Sequence, residues 1–203
     1  MIDLPTLLHQ CAPNVAPSTM QAIIRTESGF NPLAMNVNGG VRLQRKPKNM
    51  TEAAAWASWL IKQGYSVDMG LMQINSRNLA RLNLTPAEVF EPCRNLRAGA
   101  AILTAQYGKA SQTHGTGTKA LLQAISAYNT GNFQGGFSNG YVAKVVRASN
   151  TRTSPTLDLA RMMTQPIRRS GQVESPPSTQ PHTADSAIQG FGSTQNTAAM
   201  RAG

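Results

Sequence analysis

One glutamate falls where an apolar residue belongs. Met20, Ile23 and Ile24 sit at helical spacing, and the next position in that i, i+3, i+4, i+7 series is Glu27. A carboxylate on a core-facing stripe is costly as the anion. Burial therefore raises its pKa, and the negative end of the helix dipole raises it further. A glutamate poised near neutral pH can donate a proton and then take one back, which glycosidic bond cleavage requires. The competing reading is a helix-end glutamate turned to solvent, or one paired with Arg25 or another cation. On helical phase alone that second reading is the stronger, because stripes fray at helix ends.

Two further segments change the balance. Asp68-Met69-Gly70-Leu71-Met72-Gln73-Ile74-Asn75 sets a glycine, apolar residues and two carboxamides in close succession. Amides beside apolar surface suit a neutral sugar bearing N-acetyl groups. Ser126-Ala127-Tyr128-Asn129-Thr130-Gly131 ends a helix in a turn that presents a phenol and an amide. Taken singly, the first is a turn entering a helix and the second a C-terminal cap. A glycosidase with two carboxylates would need a second acid. Glu52 and Glu88 read as helix caps and Glu91 precedes Pro92 in a turn, which leaves Asp68 as the serious candidate. His9, His114 and His182 are scattered, and two cysteines cannot make an ordinary zinc site unaided, so neither metal nor cofactor is expected. Cys11 and Cys93 are compatible with one bridge in an oxidising compartment or with two buried thiols.

The elements that must carry these residues are mostly helices. Pro17-Ser18 opens one, with Ser18 and Gln21 at capping-box spacing and Gly29 as its stop. Asn38-Gly39, between Val37 and the pair Val41 and Leu43, predicts a small β-hairpin over 36–46. Asn49 and Glu52 cap a helix that Gly64 ends, and Thr85-Pro86-Ala87-Glu88 starts another. Leu96, Ala100, Leu103 and Tyr107 predict a helix from Cys93 to about Lys109. TKALLQAISAY, with Leu121, Ile125 and Tyr128 on one face, and GYVAKVVRA complete the set. Past residue 150 the chain turns rich in Ser, Thr, Gln, Pro and Ala. Residues 151–203 therefore read as a disordered, low-complexity tail with one short helical piece around 157–163. Residues 1–150 form the folded domain.

The 203-residue chain carries a formal charge of +10, and its first 150 residues hold fourteen basic and six acidic side chains. Such a surface favours an anionic partner: nucleic acid, anionic lipid or the acidic bacterial wall. Arg42, Arg45, Lys46 and Lys48 cluster, yet no helix-turn-helix, zinc finger or stacking surface accompanies them, so no nucleic acid is expected. No stretch approaches the ~20 apolar residues of a membrane span. The start, MIDLPTLLHQ, does not read as a complete signal peptide.

Together the segments have a precedent. Glu27-Ser28-Gly29-Phe30-Asn31-Pro32, then GLMQIN at 70–75, then AYNTG at 127–131 resemble, in order and spacing, the three signature segments of the lytic transglycosylases of the lysozyme superfamily. CAPNVAPSTMQAII and EPCRNLRAGAAIL resemble more narrowly the specialised transglycosylases of type IV secretion and conjugation systems. The match covers about residues 8–150. It implies a lysozyme-like α+β domain, mainly α, acting on peptidoglycan glycan strands. It implies Glu27 as sole catalytic acid and base, Ser28 supporting its surroundings, and Gly70, Leu71, Met72, Gln73, Ile74 and Asn75 as one wall of a sugar groove, with Gln73 touching substrate. Tyr128 would hydrogen-bond near Glu27, Asn129 would shape the site, and Cys11 and Cys93 would form a disulfide. It further implies periplasmic work beside secretion-apparatus proteins. The tail lies outside the resemblance and is expected, on its own, to serve as a tether. The rivals are a hydrolytic muramidase on the same fold, a glycan-binding scaffold without catalysis, and a nucleic-acid binder.

Overall fold

The computed structural model describes residues 3–151. The expected tail beyond Thr151, with its helical piece around 157–163, lies outside the described residues.

Eight α-helices, two 3-10 turns and a three-stranded sheet make up the described residues. Helix α1, Leu4–Cys11, was not foreseen. Its stripe Leu4, Leu7, Leu8 and Cys11 is buried, and Asp3 caps it by accepting from the Thr6 amide at 2.7 Å. Helix α2, Pro17–Ser28, buries Met20, Ala22, Ile23 and Ile24. The Ser18–Gln21 capping box does not form: Ala16 is the N-cap and no side chain caps it. Proline at the first helical position suffices to start the helix. The helix stops at Gly29, whose left-handed φ of 58° any Cβ would strain.

The sheet corrects the expected hairpin over 36–46. Strand β1, Met35–Val37, pairs antiparallel with β2, Val67–Met69, and β2 pairs with β3, Ile74–Asn75. The tight hairpin is thus β2–β3, turning through residues 70–73. Asn38 spends its bonds elsewhere: its amide N–H donates to Ser66 O at 2.9 Å and its side-chain Nδ2 to Asp68 Oδ2 at 2.9 Å. Val41 and Leu43 pack against the core instead of pairing back onto β1.

Helix α3, Met50–Lys62, begins as expected, with Asn49 Oδ1 accepting from the Glu52 amide at 2.9 Å. It buries Ala53, Trp56, Ala57 and Leu60. A short helix α4, Leu79–Leu82, follows the sheet. Thr85 and Glu88 do make reciprocal capping bonds, but on a single 3-10 turn over Glu88–Phe90. The long helix begins later, at Pro92, with Glu91 as its N-cap: α5 runs Pro92–His114. It packs along α6, Thr118–Thr130, and α1 lies against α5. The short α7, Gly135–Ser138, leads into α8, Tyr141–Ser149, which packs on α2. Cys11 and Cys93 are bonded, joining the end of α1 to the start of α5 across 82 residues of sequence. No helix among the described residues is long and apolar enough to cross a membrane.

Candidate active site

Helix α2 delivers Glu27 on its last turn, next to its buried stripe. The residue retains partial exposure, but its carboxyl is almost wholly enclosed by protein. Its pKa is raised to about 7. Burial is the largest cause, and the nearby charge of Asp68 adds to it, while a hydrogen bond from Tyr141 pulls the other way.

That hydrogen bond is short: the Tyr141 hydroxyl donates to Glu27 Oε1 at 2.5 Å. Tyr141 is the first residue of α8, and the packing of α8 on α2 brings together two side chains 114 positions apart. Asn129 braces this arrangement at one remove. Its Oδ1 accepts from Asn139 Nδ2 at 2.9 Å, and Asn139 Oδ1 accepts from the Tyr141 amide at 2.9 Å. The exposed Asn129 thus ties the end of α6 to the start of α8.

The Tyr128 hydroxyl donates to the Met72 carbonyl at 2.7 Å. It stands within the field of Glu27 and Asp68. Burial first, then those charges, hold its phenol well above its ordinary pKa, and burial and Glu27 do the same for Tyr141. Both phenols are therefore neutral donors around pH 7.

The 70–75 segment is fixed from within. Gly70 has φ 77°, and a Cβ there would lie 2.2 Å from Asn95 Nδ2. Asn95, buried in α5, donates through Nδ2 to Met69 O at 3.0 Å and Val89 O at 2.7 Å, and its Oδ1 accepts from the Met72 amide at 2.7 Å. The Met72 residue is thus gripped at its N–H by Asn95 and at its C=O by Tyr128. Leu71, Met72 and Ile74 are buried, so their side chains form the base beneath the segment rather than an exposed groove wall. Gln73 takes a left-handed φ of 47°, and its Nε2 donates to Ala34 O at 3.2 Å and Gly70 O at 3.0 Å. Of the three non-glycine residues with positive φ among those described, Phe30 follows Glu27 closely and Gln73 lies in this turn. Backbone strain of this kind, about 1–3 kcal/mol each, gathers at functional sites.

Asp68 lies on β2 with both oxygens engaged: Asn38 Nδ2 donates to one at 2.9 Å and Asn75 Nδ2 to the other at 2.7 Å. Two neutral amides thus hold it as a hydrogen-bond acceptor. Ser28 Oγ donates to Ile24 O at 3.1 Å, within its own helix. A separate hollow of about 500 Å³, lined by Thr118, Lys119, Leu122, Gln123, Gln134 and Phe137, includes none of these residues.

The structure therefore brings Glu27, Tyr128, Tyr141 and Asp68 into one electrostatic neighbourhood and sets the 70–75 turn against it. Tyr141 and Asn95 were not foreseen. Asn95 had a readable signal, a polar residue in line with Gly99 and Leu103 on an apolar stripe. Tyr141 had none, because only tertiary packing reveals it.

A small helical body, a minimal sheet and an enclosed carboxyl with its pKa raised to about 7 define a lysozyme-like domain. The chain belongs to the transglycosylase SLT domain family, whose model matches residues 7–147. It is 40% identical over 184 residues to the type IV secretion system protein virB1 of Brucella abortus biovar 1 (strain 9-941), covering 83% of this chain and 77% of that one. It is 43% identical over 148 residues to protein virB1 of Agrobacterium fabrum (strain C58 / ATCC 33970), covering 72% of this chain and 59% of the relative. Protein virB1 of Rhizobium radiobacter is 44% identical over 144 residues, with 70% and 59% covered. No solved structure matches the chain.

Proposed function

We propose that this protein is a peptidoglycan lytic transglycosylase with Glu27 as its single acid and base, opening the wall locally for a type IV secretion or conjugation apparatus. The observation that carries the reading is the Glu27 carboxyl itself: enclosed, raised to about 7, and oriented by Tyr141. At that pKa the acid and its conjugate base are both accessible near neutral pH.

The reaction needs both forms in turn. Glu27 protonates the oxygen between N-acetylmuramic acid and N-acetylglucosamine, and that bond breaks. The substrate's N-acetyl group meets the positive charge growing on the ring. Glu27, now a carboxylate, takes the proton of the muramic acid 6-hydroxyl, whose oxygen bonds to C1. The product is a 1,6-anhydro sugar, no water is consumed, and the acid is restored. One carboxyl thus serves where a hydrolase uses two. The amide-held Asp68 acts on Glu27 through its field. Asn75, Gln73 and the backbone of 70–75 line the sugar site, and Asn129 braces it. Kinship with the virB1 proteins supports the secretion setting, and the bridged Cys11–Cys93 pair suits an oxidising compartment such as the periplasm.

The test is mass spectrometry of fragments released from purified peptidoglycan by the wild type and by Glu27→Gln. Anhydro-muramic ends from the wild type and none from the variant are expected. Reducing ends, one water heavier, would instead mark a muramidase and return attention to Asp68. No release from either protein would mark a glycan-binding scaffold.

A further inference from the structure

Between β1 and α3 the chain runs from Asn38 to Asn49 without regular secondary structure. This strap contains Arg42, Arg45, Lys46 and Lys48 and no Asp or Glu. It is held in place along its length. At one end Asn38 Nδ2 bonds Asp68 at 2.9 Å, and the charge of Asp68 acts on Glu27. At the other end Arg45 pairs with Glu52 at 2.5 Å and lies over the Trp56 ring at 4.5 Å, while the Lys48 amide donates to Glu52 at 2.6 Å. In between, Pro47 is buried and Val41 and Leu43 pack against the core. Turning these apolar residues inward leaves Arg42, Lys46 and Lys48 exposed. Glu52, the acid at the end of the strap, is already bound to Arg45 and to the Lys48 amide.

We propose that the strap recognises the carboxylates of the acidic peptide that branches from each muramic acid. The inference rests on the reading of Glu27 as the acid acting on peptidoglycan, and it adds a substrate preference: glycan carrying its stem peptides over bare glycan. With its lactyl carboxyl tied up in the amide to the stem peptide, the sugar backbone is uncharged and gives cations nothing to hold. The stem leaves the same sugar whose C1 is attacked, so its carboxylates always accompany the scissile bond. They cannot settle beside the charge of Asp68, which would repel them as it already raises the Glu27 pKa. The strap starts at Asp68 and carries fixed cations away from it, so it offers the neighbouring positive surface such a branch requires. Surface ion pairs are individually weak and act over roughly 8–10 Å at ordinary ionic strength. Three together support a preference of about three- to tenfold that salt erodes. A polyphosphate partner would give far steeper salt dependence.

The experiment compares turnover of peptide-bearing glycan strands with turnover of strands stripped of peptide by an amidase, whose newly freed lactyl carboxylates are then capped as amides with carbodiimide and ammonia. The proteins are the wild type, the strap variant Arg42→Gln/Lys46→Gln/Lys48→Gln, and a control, Arg97→Gln/Lys109→Gln/Lys119→Gln, which loses the same charge from exposed positions on α5 and α6. The wild type and control should favour peptide-bearing strands several-fold at low salt. The strap variant should lose that ratio. An unchanged ratio in the strap variant, or an equal loss in the control, overturns the proposal. So does tight duplex-DNA binding at physiological salt that the strap variant abolishes while its glycan ratio stays intact. If the wild type cleaves neither substrate, the catalytic reading fails. Pelleting of each protein with peptide-bearing or stripped sacculi then tests the strap on its own.

Discussion

Glu27 and Tyr141 share one short hydrogen bond, and its direction fixes what Tyr141→Phe should do. The phenol donates to the carboxylate form and so lowers the Glu27 pKa against the rise that burial imposes. Removing it leaves burial and Asp68, so the pKa rises above about 7. Glu27 must be protonated to act as acid, so kcat falls as pH passes its pKa. The alkaline limb of the kcat–pH profile should therefore move to higher pH in Tyr141→Phe. At the optimum the rate should drop by about tenfold or more, because the carboxyl loses its orienting partner. A limb that stays in place, or moves down, would show that the phenol does not govern this proton. At this scale the sequence was informative where a residue contradicted its own helix. Glu27 broke an apolar stripe, and so did Asn95. Tyr141 broke nothing, because its meaning comes from a helix 114 residues away.

The turn between β2 and β3 depends on one buried amide. Asn95 satisfies the Met72 N–H and the Met69 and Val89 carbonyls, none of which has room to find water. Asn95→Ala should cost about 3 kcal/mol or more in urea unfolding, since each stranded buried group costs about 1–3 kcal/mol. An effect below 1 kcal/mol would mean that the turn relaxes to new partners. The hairpin shows why element pairing is hard to read locally. Asn38-Gly39 is a strong hairpin signal, but the partner of β1 lies thirty residues on, across α3. Asn38 gives its hydrogen bonds to Ser66 and Asp68 instead. Helix starts were legible both at Asn49, where a side chain caps, and at Pro17, where proline sets the boundary, although the capping box expected at Ser18 does not form.

Over the whole molecule the bridge between Cys11 and Cys93 reduces the freedom of the unfolded chain. Replacing both by serine should lower stability by about 2–5 kcal/mol, measured by thermal or urea unfolding. Glycan cleavage should persist below the new transition, since neither sulfur belongs to the Glu27 neighbourhood. We propose that residues 1–150 carry the cleavage and residues 151–203 the tethering. Deleting residues 151–203 should then impair transport in cells and spare wall cleavage in vitro, and loss of cleavage would refute the tether. The mainly helical body was readable from apolar periodicity in α2, α5 and α6. Helix α1 was not read as one, although its four-residue stripe is plain once Asp3 is seen as its cap.

The same bridge makes part of the chain a closed ring. Residues 11 to 93 form a covalent circuit that holds Glu27, all three strands and the basic strap, with the two ends of the polypeptide hanging from it. A ring cut once is still one molecule. A protease that nicks the strap would open the circuit without releasing either piece. Glu27 would stay covalently joined, through the sulfurs, to the helices that carry Tyr128 and Tyr141.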